Sequence, residues 1–284
     1  MNLLVRRSFI RWFGAAVAGL FASNGNQAHA SQSVSSGDPM SAVRAAFPYT
    51  VVTVNGRDAY EEWQRLRTAG DGWPIIVGSD EEFDRVAEQF SIDDPKTYPG
   101  LATELMEGIR PREIAEIIAS AASIQLPEKF RELFEEEYGD GAVAPESGDW
   151  PLGDPMVIPE LAVVSDVLTG RMLDRVNIVV VPTADFAEVP AYLRWGAWNA
   201  CPAPEVHVAA LRRWREQWGA ELVGMTGDVL NLTVSRRPQS PEAAMELARE
   251  LYFYCPDIVD QGTEYLEPLA ASLMNSNWWF FWWD

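Results

Sequence analysis

The strongest constraint on the fold is a run of six consecutive aromatic residues at positions 278–283. A strand sends alternate side chains to opposite faces of its sheet, so three of these aromatic residues point to each face. Neither set is stable in water, and the run therefore predicts a sheet covered on both faces. We expect residues 47–175 to dock on the second face, so that both parts of the chain form one rigid body. Alanine at Phe280 or Phe281 is then expected to be strongly destabilising.

The C-terminal part, residues 176–284, has a recognisable order of elements. The order is strand, helix, strand, strand, helix, strand, with extra helices inserted. This order is typical of the split β-α-β arrangement, and it predicts an α+β protein with a ferredoxin-like C-terminal domain. The strands are predicted at residues 176–181, 221–225, 229–234 and 278–283, and the two main helices at residues 204–218 and 241–254.

The preceding part, residues 47–138, is predicted to be a smaller α/β unit. A β-branched run at residues 49–54 and an apolar run at residues 73–78 predict two strands, each followed by a helix. Ser79 and Glu82 have the spacing of a capping box, which predicts that the second helix begins here.

Two segments have the composition of linkers. Residues 31–46 are rich in Ser, Gly and Asp and lack an apolar period, which predicts a flexible spacer. Residues 139–175 are predicted to be a connector. Its first half, residues 139–159, holds four prolines and four glycines, which indicates a domain boundary.

Residues 1–30 have the layout of a cleaved signal peptide, with three arginines, no acidic residue, an apolar stretch at residues 12–22 and Ala-His-Ala at residues 28–30. The apolar stretch is too short for a hydrocarbon core that needs about 20 residues. Residues 6–11, Arg-Arg-Ser-Phe-Ile-Arg, resemble the twin-arginine consensus. We therefore expect export to the periplasm or the extracellular space, with cleavage after Ala30. An ordinary secretory signal and an uncleaved membrane anchor stay open as alternatives.

The chain is strongly acidic, with 42 acidic and 22 basic residues and a formal net charge of −20. Such a surface repels phosphate backbones and anionic lipids, so we expect no nucleic-acid binding and no membrane insertion after signal cleavage. Cationic partners are favoured, and solubility alone is the alternative explanation. Three successive glutamates at residues 135–137 predict a solvated helix face rather than a cation site, because successive helix positions point in different directions.

The topology predicted for the C-terminal part brings several polar residues to one end of the sheet. The loop after the first strand, the turn after the second strand and the end of the helix over residues 241–254 all reach that end. Convergent polar groups are typical of ligand sites. The ligand-binding candidates are Trp198, Asn199, His207, Asp228, Asp257 and Asp260, and the two cysteines, Cys201 and Cys255, lie among them.

These residue types leave several chemistries open. Thiolate, imidazole and carboxylate are zinc ligands, but neither cysteine belongs to a Cys-x-x-Cys pair, so we predict no metal site and no cofactor. A nucleophilic pair of Cys201 and His207, oriented by Asp228 or Asp257, is a second hypothesis, although no known nucleophile motif surrounds this cysteine. A disulfide between Cys201 and Cys255, or two structural thiols, are the remaining hypotheses.

The stretches at residues 195–202, 219–225, 255–262 and 278–284, together with His207, contain several rare residues in a fixed order. In these stretches the chain resembles the bacterial family called domain of unknown function 4253. The resemblance covers about residues 176–284 and implies no activity. Two functions stay open. One is a ligand- or protein-binding module of the cell envelope, which the missing catalytic motifs favour. The other is a small hydrolase or transferase that uses the Cys/His/Asp edge.

Overall fold

Six strands form one mixed sheet in the computed structural model, which describes residues 40–94, 112–143, 145, 148–151, 160–166 and 169–284. The predicted signal peptide with its twin-arginine motif, and residues 31–39 of the predicted spacer, lie outside the described residues. The α+β class predicted from the sequence is confirmed. The strands are β1 (Thr50–Val54), β2 (Trp73–Gly78), β3 (Val176–Val181), β4 (Ala220–Met225), β5 (Val229–Val234) and β6 (Trp278–Trp282).

The strand order in the sheet is β1-β3-β2-β4-β5-β6. Strand β2 comes from the N-terminal part, yet it pairs antiparallel with β3 and parallel with β4, which both come from the C-terminal part. The ferredoxin-like arrangement is therefore not confirmed, because the two strands of a split β-α-β unit are parallel, whereas β3 and β4 run antiparallel on either side of β2. Both parts of the chain contribute strands to the same sheet.

The composition of β2 and β3 explains why these two strands lie inside the sheet. All six residues of β2 are buried, and in β3 only Val180 is half-buried. A strand that is apolar on both faces is stable only inside a sheet with both faces covered. Strand β1 has no buried residue, and it occupies an edge.

Local sequence signals set several helix boundaries. The Ser79 hydroxyl accepts the N–H of Glu82 at 3.2 Å, so the predicted N-cap is confirmed. The Ser240 hydroxyl accepts the N–H of Ala243 at 3.3 Å in the same way. The helices are α1 (Met40–Ala46), α2 (Ala59–Ala69), α3 (Asp80–Asp93), α4 (Ile114–Ala121), α5 (Glu128–Tyr138), α6 (Val189–Leu193), α7 (Pro204–Trp218), α8 (Pro241–Tyr254) and α9 (Leu266–Asn275). Within the described part of the chain, no helix combines the length and the apolar composition of a membrane span.

Helix α1 occupies the end of the segment predicted as a flexible spacer. Val43 of this helix is buried, and Arg44 forms an ion pair with Asp84 of α3. Phe47, which follows the helix, packs edge-to-face on Phe83 with the ring centroids 5.3 Å apart. These tertiary contacts hold a short helix in place, and composition alone does not reveal them.

The aromatic run of the last strand is buried unequally. Trp279, Phe281 and Trp283 are buried, whereas the side chains that alternate with them are half-buried. The buried set faces α7 and α8, where Phe281 stacks on Trp214 at 5.3 Å and meets Tyr254 at 5.1 Å. This face of the sheet therefore carries closely packed aromatic rings.

The opposite face of the sheet is covered in part by the connector. Asn231 of β5 lies opposite Phe280 in the register, and its amide oxygen accepts the N–H of Ala162 at 2.7 Å. Its amide nitrogen donates to the Glu160 carbonyl at 3.2 Å. Residues from the expected range, 47–175, therefore do cover part of the second face, although the strands of that range join the sheet edge to edge.

Candidate functional site

A glycine holds the loop between α6 and α7 against His207. Gly196 has φ 113°, a conformation that L side chains rarely adopt. A Cβ atom there would lie 2.2 Å from the Pro202 carbonyl oxygen and 2.8 Å from Nε2 of His207. Asn199 in the same loop is also left-handed, with φ 47°. This backbone path brings Cys201 next to His207.

His207 is fully buried and bridges two polar side chains. Its Nδ1 lies 2.6 Å from the Tyr254 hydroxyl, and its Nε2 lies 3.5 Å from Sγ of Cys201. The rings of Trp195 and Trp283 pack on the imidazole, with centroids 4.8 and 5.7 Å away. We call the buried rings at this place the aromatic group; its members are Trp195, His207, Trp214, Tyr254, Phe281 and Trp283.

Burial keeps the polar groups of this site uncharged. It lowers the pKa of His207 to about 3. It raises the pKa of the Cys201 thiol well above its usual value, and the nearby Cys255 and Asp228 act in the same direction. Burial also raises the pKa of the Tyr254 hydroxyl. At neutral pH the site therefore holds a thiol beside a neutral imidazole, not a thiolate beside an imidazolium.

Three predicted candidates meet around Asp284. The side-chain amide of Asn199 donates to the Asp284 carbonyl at 3.0 Å, and Oδ2 of Asp257 accepts the Asp284 N–H at 3.0 Å. The N–H of Trp283 donates to the backbone carbonyl of Asp228 at 3.1 Å. The structure thus brings Asn199, Asp228 and Asp257 to one end of the sheet, where they bind the backbone of the two residues that follow β6.

An open cleft of about 200 Å³ lies beside the aromatic group, and its walls come from three segments. The end of α5 forms one wall, the loop at residues 199–203 forms the second, and the end of α8 forms the third. Cys201 and Tyr254, the two side chains that contact His207, line the cleft. Glu136 and Glu137 of α5 line it as well and are exposed.

Most of these groups fall in one stretch of the chain with a known family match. Residues 177–284 match the family Domain of unknown function (DUF4253). The resemblance predicted for residues 176–284 is therefore confirmed. No curated protein and no solved structure gives a match to the chain.

The DUF4253 region supplies only part of the candidate site. Cys201, His207 and Tyr254 lie inside the matched residues, whereas the α5 wall with Glu136 and Glu137 precedes them. The cleft is therefore assembled from the family region and from the chain before it.

Two residues of α3, Glu82 and Arg85, lie beside Asp228, and the sequence did not predict either of them for this site. Oε2 of Glu82 accepts the N–H of Gly227 at 3.0 Å, and Arg85 lies 3.1 Å from Glu82 and 3.8 Å from Asp228. Burial, followed by the charge of Asp228, raises the pKa of Glu82, and burial raises the pKa of Asp228. The capping-box pattern located Glu82 but gave no signal for a partner 145 positions away. We call Glu82, Asp228, Asp257 and Asp284 the carboxylate group.

The two remaining candidates have different surroundings. Trp198 is half-buried and packs edge-on against Trp195 at 6.0 Å. Its indole N–H has no hydrogen-bond partner among the described residues. Asp260 is exposed and accepts a hydrogen bond from the Tyr252 hydroxyl at 3.1 Å. Of the six predicted candidates, His207 is thus enclosed in the aromatic group, whereas Asn199 and Asp260 are exposed.

The two cysteines are free and buried, so the candidate disulfide between Cys201 and Cys255 is not formed. The thiol of Cys255 donates to the Trp282 carbonyl at 3.0 Å, while Cys201 contacts His207. Each thiol therefore has its own partner. In the described ranges, no three or more His, Cys, Asp or Glu side chains form a group that could hold a metal ion.

Proposed function

We propose that this protein is an exported binding module of the cell envelope and that its ligand site is the cleft beside α5. One observation carries the proposal. The cleft is open, while the Cys201 thiol and the His207 imidazole beside it are uncharged and contact each other at 3.5 Å. A concave surface with aromatic walls and a few polar groups is suited to recognition. The acidic surface of the chain supports a ligand or protein partner that is not a nucleic acid.

A fragment screen by ligand-observed NMR tests the proposal. The probes are a defined mixture of small amines, carboxylic acids and neutral aromatic compounds. Ala200→Trp fills the cleft, and Ala122→Trp, on an exposed residue that does not line it, is the matched control. We expect fragments that bind the wild type and the control but bind the Ala200 variant at least about tenfold more weakly. A screen without binders, or binders that are insensitive to Ala200→Trp, would refute the proposal.

Export is the second element of the proposed function, and it is supported by the signal layout at residues 1–30. Replacing both Arg6 and Arg7 with lysine should retain the precursor inside the cell, because the twin-arginine receptor recognises that pair. Cell fractionation and N-terminal sequencing measure the result, and the mature protein should begin at Ser31. Undiminished export of the double variant would support an ordinary secretory signal instead.

A small hydrolase or transferase is the second candidate function, and the contact of Cys201 with His207 at the cleft favours it. Nucleophilic catalysis requires a thiolate, whereas burial raises the pKa of this thiol. The rate of alkylation by iodoacetamide in a Cys255→Ser background, followed from pH 6 to pH 9, separates the two functions. A slow rate that still rises at pH 9 supports the binding module. A rate that reaches its plateau below pH 7 supports the enzyme.

A further inference from the structure

The two edges of the sheet, β1 and β6, differ in what contacts their outward-facing backbone groups. At the end of β6, the thiol of Cys255 donates to the Trp282 carbonyl at 3.0 Å. The backbone of Asp284, two residues further on, hydrogen-bonds to the side chains of Asn199 and Asp257. In the described part of the chain, β1 pairs only with β3, and no side chain hydrogen-bonds to its backbone. The outer edge of β1 is therefore the more open of the two.

The outer edge of β1 is also regular. The N–H of Gly56, two residues after the strand, donates to the carbonyl of Leu173 in the segment that leads into β3, at 3.0 Å. Because backbone groups alternate in direction along a strand, the N–H and C=O groups of Val51 and Thr53 point away from the sheet. The register of β1 on β3 has no shift, and β1 contains no charged residue and no proline. Bulges, charges and prolines are the usual means of blocking an edge, so β1 can accept a further strand.

A groove of about 270 Å³ lies along the same edge. Thr50 and Val52 of β1 line it, and because they are two positions apart they share one face of the strand. Leu66 of α2 and Val180 of β3 add apolar surface. A strand that pairs with β1 sends every second side chain to that same face. The groove is therefore placed to receive a side chain of an added strand.

The charge of the groove indicates which side chain fits. Asp71, in the loop between α2 and β2, is exposed and is the one charged residue among the described residues that line the groove. Lysine and arginine pack their aliphatic stems on apolar surface and keep the charged end in water. Val52 and Leu66 offer that surface, and Asp71 offers a carboxylate to the charged end. The net charge of −20 also attracts cationic partners to the chain.

We infer that the outer edge of β1 binds an extended peptide segment of a partner protein, with a lysine or arginine side chain of that segment in the groove. Backbone hydrogen bonds to β1 supply affinity, and the groove selects the side chain. A second copy of this chain is disfavoured as the partner, because two chains of net charge −20 repel each other and β1 has no basic residue to offer. The inference goes beyond the proposed function, since the groove and the cleft beside α5 share none of their described lining residues.

Three capped peptides of the sequence Thr-Val-Thr-X-Thr-Val-Thr test the inference. X is lysine, norleucine, which has a similar stem without the ammonium group, or glutamate. Binding to the mature chain, residues 31–284, is measured by NMR titration in low salt. We expect the lysine peptide to bind about threefold more tightly than the norleucine peptide and about tenfold more tightly than the glutamate peptide, because the ion pair is exposed.

Two substitutions of Val51 test the backbone contact. Val51→Pro removes an outward-facing N–H, and proline is tolerated on an edge strand at such a position. Val51→Thr is the matched control, because it retains both the N–H and a β-branched side chain. We expect Val51→Pro to weaken the lysine and norleucine peptides about tenfold and Val51→Thr to leave both affinities unchanged. Melting curves check that both variants are folded.

Asp71→Asn tests the charge of the groove. It should lower the affinity of the lysine peptide to that of the norleucine peptide and leave the norleucine peptide unaffected. The control is Glu61→Gln, which removes an exposed charge of α2 outside the groove and should change neither affinity. Equal losses in these two variants would overturn the inference, because the attraction would then come from the overall negative charge.

Other contrary results are equally decisive. The inference is overturned if none of the three peptides binds, if the glutamate peptide binds as well as the lysine peptide, or if Val51→Pro and Val51→Thr behave alike. A wild-type dimer in sedimentation experiments that Val51→Pro dissociates would assign the edge to a second copy instead. Ala200→Trp should leave peptide binding unchanged, and a loss there would place the peptide in the cleft. Failure of the fragment screen refutes the cleft alone.

Discussion

The aromatic group and the carboxylate group lie at the same end of the sheet, and burial favours the uncharged form in both, but only the carboxylate group has a cation that opposes this effect. In the aromatic group, burial lowers the pKa of an imidazole and keeps it neutral. In the carboxylate group, burial raises the pKa of Glu82 and Asp228, although Arg85 opposes the shift. The comparison teaches that convergence of polar residues does not by itself create a reactive site. The polarity around each residue decides its charge.

The largest expected effect lies in the aromatic group. Phe281→Ala should lower the free energy of unfolding by about 3 to 5 kcal/mol, because the ring is fully buried between Trp214 and Tyr254. Phe280→Ala on the other face should cost about 1 to 2 kcal/mol, because its ring is half-buried. Urea denaturation of both variants measures the difference. Equal losses would restore the original expectation that both faces are fully covered.

His207 should make stability fall in acid. Its pKa is about 3 in the folded protein and about 6.5 in the unfolded chain, so between these values only the unfolded chain binds the proton. This stabilising contribution is fully present above pH 6.5 and is lost as the pH falls towards 3. Between pH 7 and pH 4 the wild type should lose about 3 kcal/mol more unfolding free energy than His207→Gln. Parallel pH profiles of the two proteins would show that the imidazole is not buried as described.

In the carboxylate group, Asp257→Asn tests a buried acceptor. Its two carboxylate oxygens accept the N–H of Asp284 and the side-chain amide of Gln261, and asparagine retains only one acceptor. The variant should lose about 1 to 3 kcal/mol. Asp260→Asn is the control, because this side chain is exposed and its loss should stay within about 0.5 kcal/mol. Similar thermal unfolding of the two variants would contradict a structural role for Asp257.

The smallest expected effect is the pH dependence from Asp228. Its pKa is raised in the folded state, so its contribution to stability is present below its unfolded value and is lost as the pH rises through the folded value. The sign is opposite to that of His207. Because the side chain is 31 % exposed and lies near Arg85, we expect a change of only a few tenths of a kcal/mol. Asp228→Asn should remove that decline when unfolding is measured from pH 4 to pH 8, and a steeper decline in the variant would reverse the assignment.

Much of the local structure was predictable from the sequence. Strands β2, β3 and β5 and helices α7 and α8 have the predicted bounds, because apolar patterns and cap residues act over a few positions. The neighbours of β2 were not predictable. A strand that is apolar on both faces must be central, but its composition does not name its partners. The segment that became α1 was missed for a similar reason, since its order comes from contacts with α3.

The candidate site shows the same division. The sequence analysis placed Asn199, Asp228 and Asp257 at one end of the sheet, and they do meet, but the strand directions behind that prediction are wrong. Strand β3 runs antiparallel to β4, so the chain leaves β3 at the other end of the sheet and reaches Asn199 only after α6. The sequence did not indicate that the Asp284 backbone hydrogen-bonds to Asn199 and Asp257. Nor did it indicate that Glu82 and Arg85 of α3 lie beside Asp228 and the turn before it.

The sequence by itself determined the acidic character, the family match of the C-terminal region and most helices and strands, because these depend on composition and on near neighbours in the chain. Only the tertiary structure decided the strand order, the neutral state of Cys201 and His207, and the cleft between α5 and the DUF4253 region. Burial is the physical reason. The charge of a side chain and the presence of a cavity depend on groups that are distant in sequence, and those groups meet only when the chain is folded.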